Sequence, residues 1–475
     1  MERQDLVVIG GGAGGLVVAS GAAQLGLKVT LIEKEPLLGG DCLHYGCVPS
    51  KSLIHAAKVA SLMRRGGEFG LTALNAQADL GKVNDYVQRV IARIQAHDDP
   101  ERFRGYGCNV RFGVPRFRDP YTIEIDGEII SGRRFVLATG SRPAIPPIEG
   151  LADAGYITNL EAFSLATLPE RLVVLGGGPI GVELGQAFAR LGSRVTLVEQ
   201  TGAILAREDA EVAALLRAQL EAEGLAIHTA ATVQRVRRSG GGKIMECRRA
   251  DSGESFAIEA DEILVATGRR PNVEGLGLEA AGVRHTARGI DVDRRMRTSA
   301  SHIYACGDVC GPFAFTHMAE YQAGIVIANA VFRIPKRANY RIVPRVTFTD
   351  PELAQVGLTE AEARARGIAP AVLRLPLREV DRALTESETD GLVKLVVHKG
   401  RILGASILGP RAGELLPEIA LAMKLKAKIG SISATIHAYP TLAQALRHAV
   451  NTYYAPRLFS PATRRLVKWM QRLVP

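Results

Sequence analysis

The fold is decided by residues 6–15, which read Leu6-Val7-Val8-Ile9-Gly10-Gly11-Gly12-Ala13-Gly14-Gly15. The apolar run predicts a strand that is buried on both faces, as in a parallel sheet. Gly10, Gly12 and Gly15 have the spacing G-x-G-x-x-G, which lets a pyrophosphate approach the backbone at the N-terminus of a helix. Glu33 ends the next apolar run, where a carboxylate can bind the ribose of the same dinucleotide. This stretch therefore predicts a Rossmann-like dinucleotide-binding fold.

The same arrangement occurs a second time in the chain. The run Leu172-Val173-Val174-Leu175 precedes Gly176, Gly178 and Gly181, and Glu199 ends the following run. The first glycine and the acidic residue are 23 positions apart in both copies, from residue 10 to 33 and from 176 to 199. One such loop is weak evidence, but two with the same spacing argue against chance. We therefore expect two dinucleotide-binding domains, with helices that run to about Leu25 and Arg190.

Two cysteines, Cys42 and Cys47, follow the first loop within residues 39–51. On about one and a half helical turns their sulfurs could come within disulfide reach, and our hypothesis is a redox-active cystine, although the spacing alone would favour structural cysteines. Two other interpretations fit the spacing. Buried structural cysteines pack like small hydrophobic residues, and a plant-type iron–sulfur site can begin with the same spacing but needs a third cysteine where this chain has Ser50.

Composition limits the class of protein. The 475 residues exceed a single core, so two to four domains are expected. Six cysteines are too few for a secreted disulfide scaffold, so a cytoplasmic location is expected. The net charge of +10 suits an anionic partner. The long basic run with interleaved aromatic residues that is typical of nucleic-acid binding is absent from the sequence. The uncharged run 6–23 resembles a secretory signal, but its glycines favour the strand and helix, and no other segment could cross a bilayer.

Further markers divide the chain. Apolar strands ending in Ala-Thr-Gly occur at 135–140 and 263–268, each followed by Arg-Pro, and these look like domain exits. A Gly-Asp turn at Asp308 precedes a helix expected from about Thr316. From Pro344, alternating apolar strands such as 392–397 predict an antiparallel α+β domain. The predicted domains are 1–150 with 271–343 for the first dinucleotide, 151–270 for the second, and 344–475 at the C-terminus.

Together, these motifs resemble the class I pyridine nucleotide-disulfide oxidoreductases, which include dihydrolipoyl dehydrogenase, glutathione reductase and mercuric reductase. The resemblance covers nearly the whole chain. It implies an α/β fold with two Rossmann-like domains, for FAD and NAD(P)H, and a C-terminal α+β dimerisation domain. It also implies a homodimer that shares its active sites between subunits. Electrons would pass from NAD(P)H through the flavin to a Cys42–Cys47 disulfide, and on to a soft metal ion or a small-molecule disulfide.

The resemblance also assigns roles to individual residues. Lys51 would lie beside the flavin ring with Glu183 as its ion-pair partner, because a cation there stabilises the reduced, anionic ring. Glu199 favours NADH, since a carboxylate repels the 2′-phosphate of NADPH, while Arg207 nearby keeps NADPH open. The residues expected to contact the two dinucleotides are Gly10, Gly12, Gly15, Glu33, Gly40, Lys51, Thr139, Gly140, Asp308, His317, Gly176, Gly178, Gly181, Glu199 and Gly268.

The residue that normally acts as base in disulfide reductases of this family is absent. The resemblance assigns Cys47 to the flavin-facing thiolate and Cys42 to the thiol that meets substrate. The family base is a His before Pro-Thr, oriented by a Glu five positions later, but here these positions hold Tyr439 and Gln444. A phenol with a pKa of about 10 is a poor base at neutral pH, where an imidazole of about 6.5 is a good one. His437 is a candidate substitute, displaced by roughly 7 Å along the chain.

Tyr439 therefore favours a mercuric-reductase-like enzyme, in which Cys42 and Cys47 ligate a substrate metal ion and no structural metal is bound. The sequence lacks the C-terminal cysteine pair and the N-terminal metal-trapping module of that branch. A dihydrolipoyl dehydrogenase is the alternative enzyme. A third interpretation, from another class, is a membrane-associated flavoprotein that senses redox state.

The third interpretation depends on residues 460–475. Basic and apolar side chains interleave there and predict a short basic amphipathic helix. Such a helix suits peripheral contact with an anionic membrane, or packing on its own dimer. The residues concerned are Arg464, Arg465, Leu466, Val467, Lys468, Trp469, Met470, Arg472, Leu473 and Val474.

Overall fold

A computed structural model of the chain describes residues 3–75 and 77–473. Val474 of the predicted tail lies outside the described residues. Within the described ranges, no helix has both the length and the apolar character needed to cross a membrane.

The N-terminal part of the chain begins with the predicted strand, glycine turn and helix. Its elements are β1 (Leu6–Ile9), α1 (Ala13–Gln24), β2 (Val29–Glu33), α2 (Gly40–His44), α3 (Cys47–Arg64), α4 (Leu80–Gln95), α5 (Pro100–Gly105), β3 (Cys108–Phe112), β4 (Arg116–Asp119), β5 (Thr122–Ile125), β6 (Glu128–Ser131), β7 (Phe135–Leu137) and β8 (Ser141–Pro143).

The next part repeats this order of strand, helix and strand. Its elements are α6 (Leu151–Ala154), β9 (Arg171–Leu175), α7 (Pro179–Leu191), β10 (Arg194–Val198), α8 (Ala210–Ala222), β11 (Ala226–His228), β12 (Ala231–Ser239), β13 (Gly242–Arg249), β14 (Ser255–Ala260), β15 (Glu262–Val265) and β16 (Arg269–Pro271). The chain then returns to the first domain through β17 (His285–Thr286), β18 (Gly289–Ile290), β19 (Ile303–Ala305) and α9 (Thr316–Val326).

The C-terminal part consists of antiparallel strands and helices. Its elements are β20 (Arg345–Thr347), β21 (Glu352–Gly357), α10 (Glu360–Ala365), β22 (Ala371–Pro376), α11 (Asp381–Thr385), β23 (Leu392–His398), β24 (Arg401–Gly409), α12 (Ala412–Lys424), α13 (Gly430–Ala434), α14 (Gln444–Leu458) and α15 (Pro461–Met470).

Two parallel sheets carry the two glycine loops. The first has the order β19-β7-β1-β2-β3 and the second β11-β10-β9-β15. A three-stranded antiparallel sheet accompanies each of them, β4-β5-β6 in the first domain and β12-β13-β14 in the second. The sequence repeat is therefore a structural repeat, as the identical spacing predicts. Because the carboxyl ends of parallel strands meet at one edge, the loops after β1, β7 and β19 lie side by side.

The two domain exits pair with each other, since β8 and β16 form a two-stranded antiparallel ribbon. The predicted boundary at residue 270 falls inside β16, and the exact domain boundaries stay predictions. The C-terminal sheet has the order β20-β21-β24-β23-β22, and α12 and α14 pack against it around a core of buried aliphatic residues. The fold is thus α/β with two Rossmann-like domains and a C-terminal α+β domain, as expected.

Candidate active site

The cysteine segment is held against the first glycine loop. Gly39 and Gly40 have positive φ angles, and a Cβ on Gly40 would come 2.8 Å from the Cα of Gly12. Only glycine therefore allows this close approach of the two backbones. The segment that follows carries Cys42 in α2 and Cys47 at the first position of α3.

The expectation that both cysteines share one and a half turns of a single helix is wrong. The helix is interrupted at Tyr45 and Gly46, so that Cys42 and Cys47 lie on two successive helices. A Cβ on Gly46 would come 2.9 Å from the carbonyl oxygen of Asp41, which explains the glycine at the break. The break places Cys47 at the N-terminus of an 18-residue helix, where the helix dipole favours a thiolate.

Thr316 connects the two sulfurs. Its Oγ1 donates a hydrogen bond of 3.1 Å to the Sγ of Cys42 and lies 3.4 Å from the Sγ of Cys47. Both cysteines are free thiols in this structure. The hydrogen bond from Cys42 is the main cause that lowers the pKa of Cys47 from 9.0 to about 6, and Thr316 and Lys51 lower it further. The same hydrogen bond raises the pKa of Cys42, so the pair shares one proton that stays on Cys42.

Lys51 and Glu183 form the expected ion pair beside the cysteines. Lys51 Nζ donates to Glu183 Oε2 at 2.7 Å, and the Glu183 side chain is only 7% exposed. Its other oxygen accepts a hydrogen bond of 2.8 Å from the backbone N–H of Phe348, whose ring faces the Lys51 ammonium at 4.4 Å. Both carboxylate oxygens of Glu183 therefore accept a hydrogen bond, as burial of a carboxylate requires. Glu183 links α3 and α7 to the start of the C-terminal domain.

The first glycine loop fits an FAD pyrophosphate. Gly10 has φ +111°, and a Cβ on Gly15 would come 1.8 Å from the carbonyl oxygen of Gly10, so the loop excludes side chains. Glu33 Oε2 accepts a hydrogen bond of 2.6 Å from the Gly11 N–H, which places this carboxylate at the loop. The second loop has the same geometry. Glu199 Oε2 accepts from the Gly177 N–H at 2.6 Å.

One cavity of about 2830 Å³ joins the two loops and the cysteines. Gly10, Gly15 and Gly181 do not line it. They lie beneath the loops, where they allow close contact between strand and helix. The other expected contacts do line it: Gly12, Glu33, Gly40, Cys42, Cys47, Lys51, Thr139, Gly140, Gly176, Gly178, Glu183, Glu199, Gly268, Asp308 and His317.

Asp308 belongs to a small polar cluster in this cavity. Its Oδ2 accepts a hydrogen bond of 2.6 Å from Ser141 and lies 3.8 Å from Arg269, which also contacts Asp41 at 3.0 Å. Burial raises the pKa of Asp308. The sequence indicated Asp308 but not Ser141, Arg269 or Thr316. Ser141 and Arg269 follow the two Ala-Thr-Gly strands, and Thr316 begins the helix after the Gly-Asp turn. Their places directly after these strands and this turn are the sequence signal that could have identified them.

Tyr439 and His437 are not brought to the cysteines of the same chain, because neither lines this cavity. The Tyr439 hydroxyl donates to Asp381 Oδ2 at 3.0 Å, and this hydrogen bond raises the phenol pKa. Both nitrogens of His437 have acceptors, the carbonyl oxygen of Thr435 at 3.0 Å and Glu418 Oε1 at 3.1 Å.

The segment around these residues is exposed. Tyr439 is 70% exposed and Ile436 is 94% exposed. This exposure is consistent with an interface between subunits.

Comparison with known proteins identifies the family. Residues 4–323 match the pyridine nucleotide-disulphide oxidoreductase family, and residues 343–450 match its dimerisation domain. A dihydrolipoyl dehydrogenase of Thermus scotoductus is 39% identical over 96% of this chain and 98% of its own length. A mercuric reductase of Staphylococcus aureus is 35% identical over 94% of this chain and 82% of its own length.

A solved structure is similar over nearly the same length. The Cu(II) complex of the HOCl-induced flavoprotein disulfide reductase RclA from Escherichia coli aligns with a TM-score of 0.85 and 28% identity, over 94% of this chain and 99% of that chain. The glycine loops, the cysteine pair and these matches lead to one conclusion. The chain is an oxidoreductase that uses FAD and NAD(P)H, carries a dimerisation domain, and belongs to the pyridine nucleotide-disulphide oxidoreductase family.

Proposed function

We propose that the protein oxidises NADH and reduces a thiophilic metal ion, of the Hg(II) or copper class, that is held by Cys42 and Cys47. When bound, FAD supplies the two-electron relay between the nicotinamide and the cysteine pair. Gly12, Glu33 and Asp308 would hold this cofactor. The runner-up is a dihydrolipoyl dehydrogenase, which the 39% identical relative favours.

The observation that carries the proposal is the missing imidazole base. Reducing a disulfide substrate requires a group that transfers protons to and from the substrate thiols. Tyr439 stands at the base position, and its hydrogen bond to Asp381 raises a pKa that is already too high for this task. His437 contacts the Thr435 carbonyl oxygen and Glu418, and it does not line the cavity of the cysteines in the same chain.

A metal ion needs no such base, because thiolates bind it directly. Cys47, with a pKa of about 6, is a thiolate at neutral pH. Thiolates are the preferred ligands of soft metal ions, and binding would release the proton that Cys42 retains. The names of two similar proteins agree with this chemistry, one being a mercuric reductase and the other the Cu(II) complex of a flavoprotein disulfide reductase.

Glu199 supports NADH as the electron donor. Glu199 directly follows β10, its carboxylate is bonded to the second loop, and it lines the same cavity as Gly176 and Gly178. A carboxylate there accepts the 2′-hydroxyl of NADH and repels the 2′-phosphate of NADPH. Arg207 also lines the cavity, so NADPH is the alternative donor to compare.

An anaerobic acceptor panel tests the proposal. NADH oxidation is followed with Hg(II), Cu(II), lipoamide, glutathione disulfide and a quinone, using the holoenzyme. We expect turnover with a metal ion, and its loss in Cys42→Ser. Fast lipoamide turnover by the unchanged enzyme would instead establish the dehydrogenase.

A double variant tests whether the missing imidazole base decides the substrate. Tyr439→His combined with Gln444→Glu restores the His–Glu arrangement of the disulfide reductases. We expect this double variant to gain lipoamide turnover of about 10²-fold or more, the usual contribution of a positioned general base. His437→Ala should leave metal-ion turnover unchanged, and a large loss would mean that His437 is the working base.

A further inference from the structure

Nearly all of the net charge of this protein arises from one segment. Residues 419–475 contain nine Lys or Arg residues and no Asp or Glu. The remaining 418 residues hold 50 basic and 49 acidic side chains and are almost neutral. Lys424 and Lys426 of this segment line the dinucleotide cavity, and four of the other basic residues lie together in the tail, where they attract anionic partners.

The segment ends in a helix with two distinct faces. Ser460 caps α15, and its Oγ accepts a hydrogen bond of 3.1 Å from the Thr463 N–H. At 100° per residue, one face of the helix presents apolar side chains and the opposite face presents basic ones. The apolar face consists of Leu466, Val467, Trp469, Met470 and, in the next turn, Leu473, and the basic face of Arg464, Arg465, Lys468 and, in the next turn, Arg472.

Both faces of α15 are open to solvent in the described chain. None of its residues is buried, and Trp469, the single Trp of the sequence, is 58% exposed. Leu458 and Phe459, just before the cap, are exposed to a similar degree and continue the apolar surface. A contiguous apolar surface of this kind marks a contact site.

We propose that this basic tail, residues 458–473, attaches the protein peripherally to an anionic lipid surface. A bilayer offers both kinds of contact that the helix presents. The acyl boundary accepts Trp469 and its apolar neighbours, and the headgroup phosphates attract Arg465 and Lys468. The matched dimerisation domain ends at residue 450, before the tail begins, and packing of the tail on a second copy is an outcome of the test below. Nucleic acid matches the charge but leaves the aliphatic side chains in water. This attachment is independent of the proposed acceptor.

The single Trp makes the test direct. Holoenzyme is mixed with vesicles made of two parts phosphatidylcholine to one part phosphatidylglycerol, and with vesicles of phosphatidylcholine alone. We expect co-sedimentation with the anionic vesicles only, together with a blue shift of the Trp469 emission as the ring enters the interface. Binding should weaken as salt is added.

A charge variant and a matched control identify the surface. Arg464→Gln, Arg465→Gln and Lys468→Gln together should weaken binding roughly 100-fold, at about fivefold for each charge near an anionic surface. The control removes three exposed charges elsewhere, at Lys82, Arg133 and Arg194, and should bind like the unchanged protein. NADH oxidation should be the same in all three proteins.

Four results would overturn the proposal. The first is an absence of co-sedimentation with anionic vesicles, and the second is equal binding to both kinds of vesicle. The third is dissociation of the dimer by the tail variant in analytical ultracentrifugation, which would assign the helix to a second copy. The fourth is a Trp469 shift with single-stranded DNA but not with vesicles, which would assign it to nucleic acid.

Discussion

The acidity of Cys47 depends on a hydrogen bond from Cys42, which one substitution of Cys42 keeps and another removes. The bond from Cys42 is the largest cause that lowers the pKa of Cys47 from 9.0 to about 6. Cys42→Ser keeps a donor O–H at this position, whereas Cys42→Ala removes the donor. The pKa of Cys47 should therefore stay low in the serine variant and rise in the alanine variant.

The size of the difference follows from the strength of such a bond. A hydrogen bond to a charged group contributes about 1.5–3 kcal/mol, which corresponds to about 1–2 pKa units. Cys47 is exposed to the cavity, so water compensates for part of the lost hydrogen bond. We therefore expect a change of about one pKa unit. We expect a pKa of about 6 in Cys42→Ser and of about 7 in Cys42→Ala. Thr316→Val, which removes a weaker contact of 3.4 Å, should raise it less.

Alkylation by iodoacetamide measures this pKa, because only the thiolate reacts. The rate is recorded anaerobically on the holoenzyme between about pH 4.5 and 9.5, and its midpoint is the pKa. The other thiols do not interfere, since burial raises the pKa of Cys108 and Cys247 to about 11, that of Cys306 to about 12 and that of Cys310 well above its usual value. Mass spectrometry of the Cys47 peptide confirms the modified site.

Equal midpoints in the serine and alanine variants would refute this reasoning. The helix N-terminus and Lys51 would then set the acidity of Cys47 without its neighbour. A midpoint near 9 in all variants, including Thr316→Val, would show that the site does not stabilise a thiolate. That result would also remove the chemical basis of the proposed metal-ion binding.

Three further experiments test charged groups. Lys51→Met should lower the free energy of unfolding by about 3–5 kcal/mol, because it leaves the buried carboxylate of Glu183 without a cation. Glu183→Gln should lower it by only about 1–2 kcal/mol. Thermal unfolding distinguishes the two variants. Glu199→Ala should raise kcat/KM for NADPH relative to NADH by about tenfold in steady-state assays, as expected when a repulsion of about 1.4 kcal/mol is lost. Lys394→Met leaves Asp209 without its cation at a site where both are 4% exposed, and it should lower Tm by several degrees, whereas Lys82→Met should not.

The repeated glycine loops were predictable because their requirements are local. A strand, a turn without side chains and a helix follow each other within a few residues, and only glycine fits where a Cβ would meet the backbone of Gly10 or Gly176. The acidic residue at the end of the next strand is equally local, since β2 and β10 lie beside β1 and β9. Glu33 and Glu199 therefore stand at the expected places, each bonded to the backbone of its loop.

The contacts of the cysteine pair were not predictable in the same way. Thr316 lies 274 positions from Cys42 in the sequence and reaches it only because β19 lies beside β7 in the sheet. The break between α2 and α3 depends on Gly46, whose closeness to Asp41 has no signature in a pattern of hydrophobic residues. The C-x4-C spacing was compatible with a helix, but the observed break is what puts Cys47 at a helix N-terminus.

We propose that substrate choice in this protein is separated from electron supply. The cysteines, Lys51 and Glu183 lie on elements of the first two domains, which are fixed by the repeated loops. Tyr439 lies in the C-terminal domain, on an exposed segment held by Asp381. We therefore expect a change at Tyr439 to alter the proton chemistry offered to a substrate without disturbing the thiolate at Cys47. Relatives named dihydrolipoyl dehydrogenase and mercuric reductase are both similar to this chain, as expected if few positions decide the acceptor. We therefore predict that residues 439 and 444 decide the acceptor, which the combined Tyr439→His and Gln444→Glu variant tests.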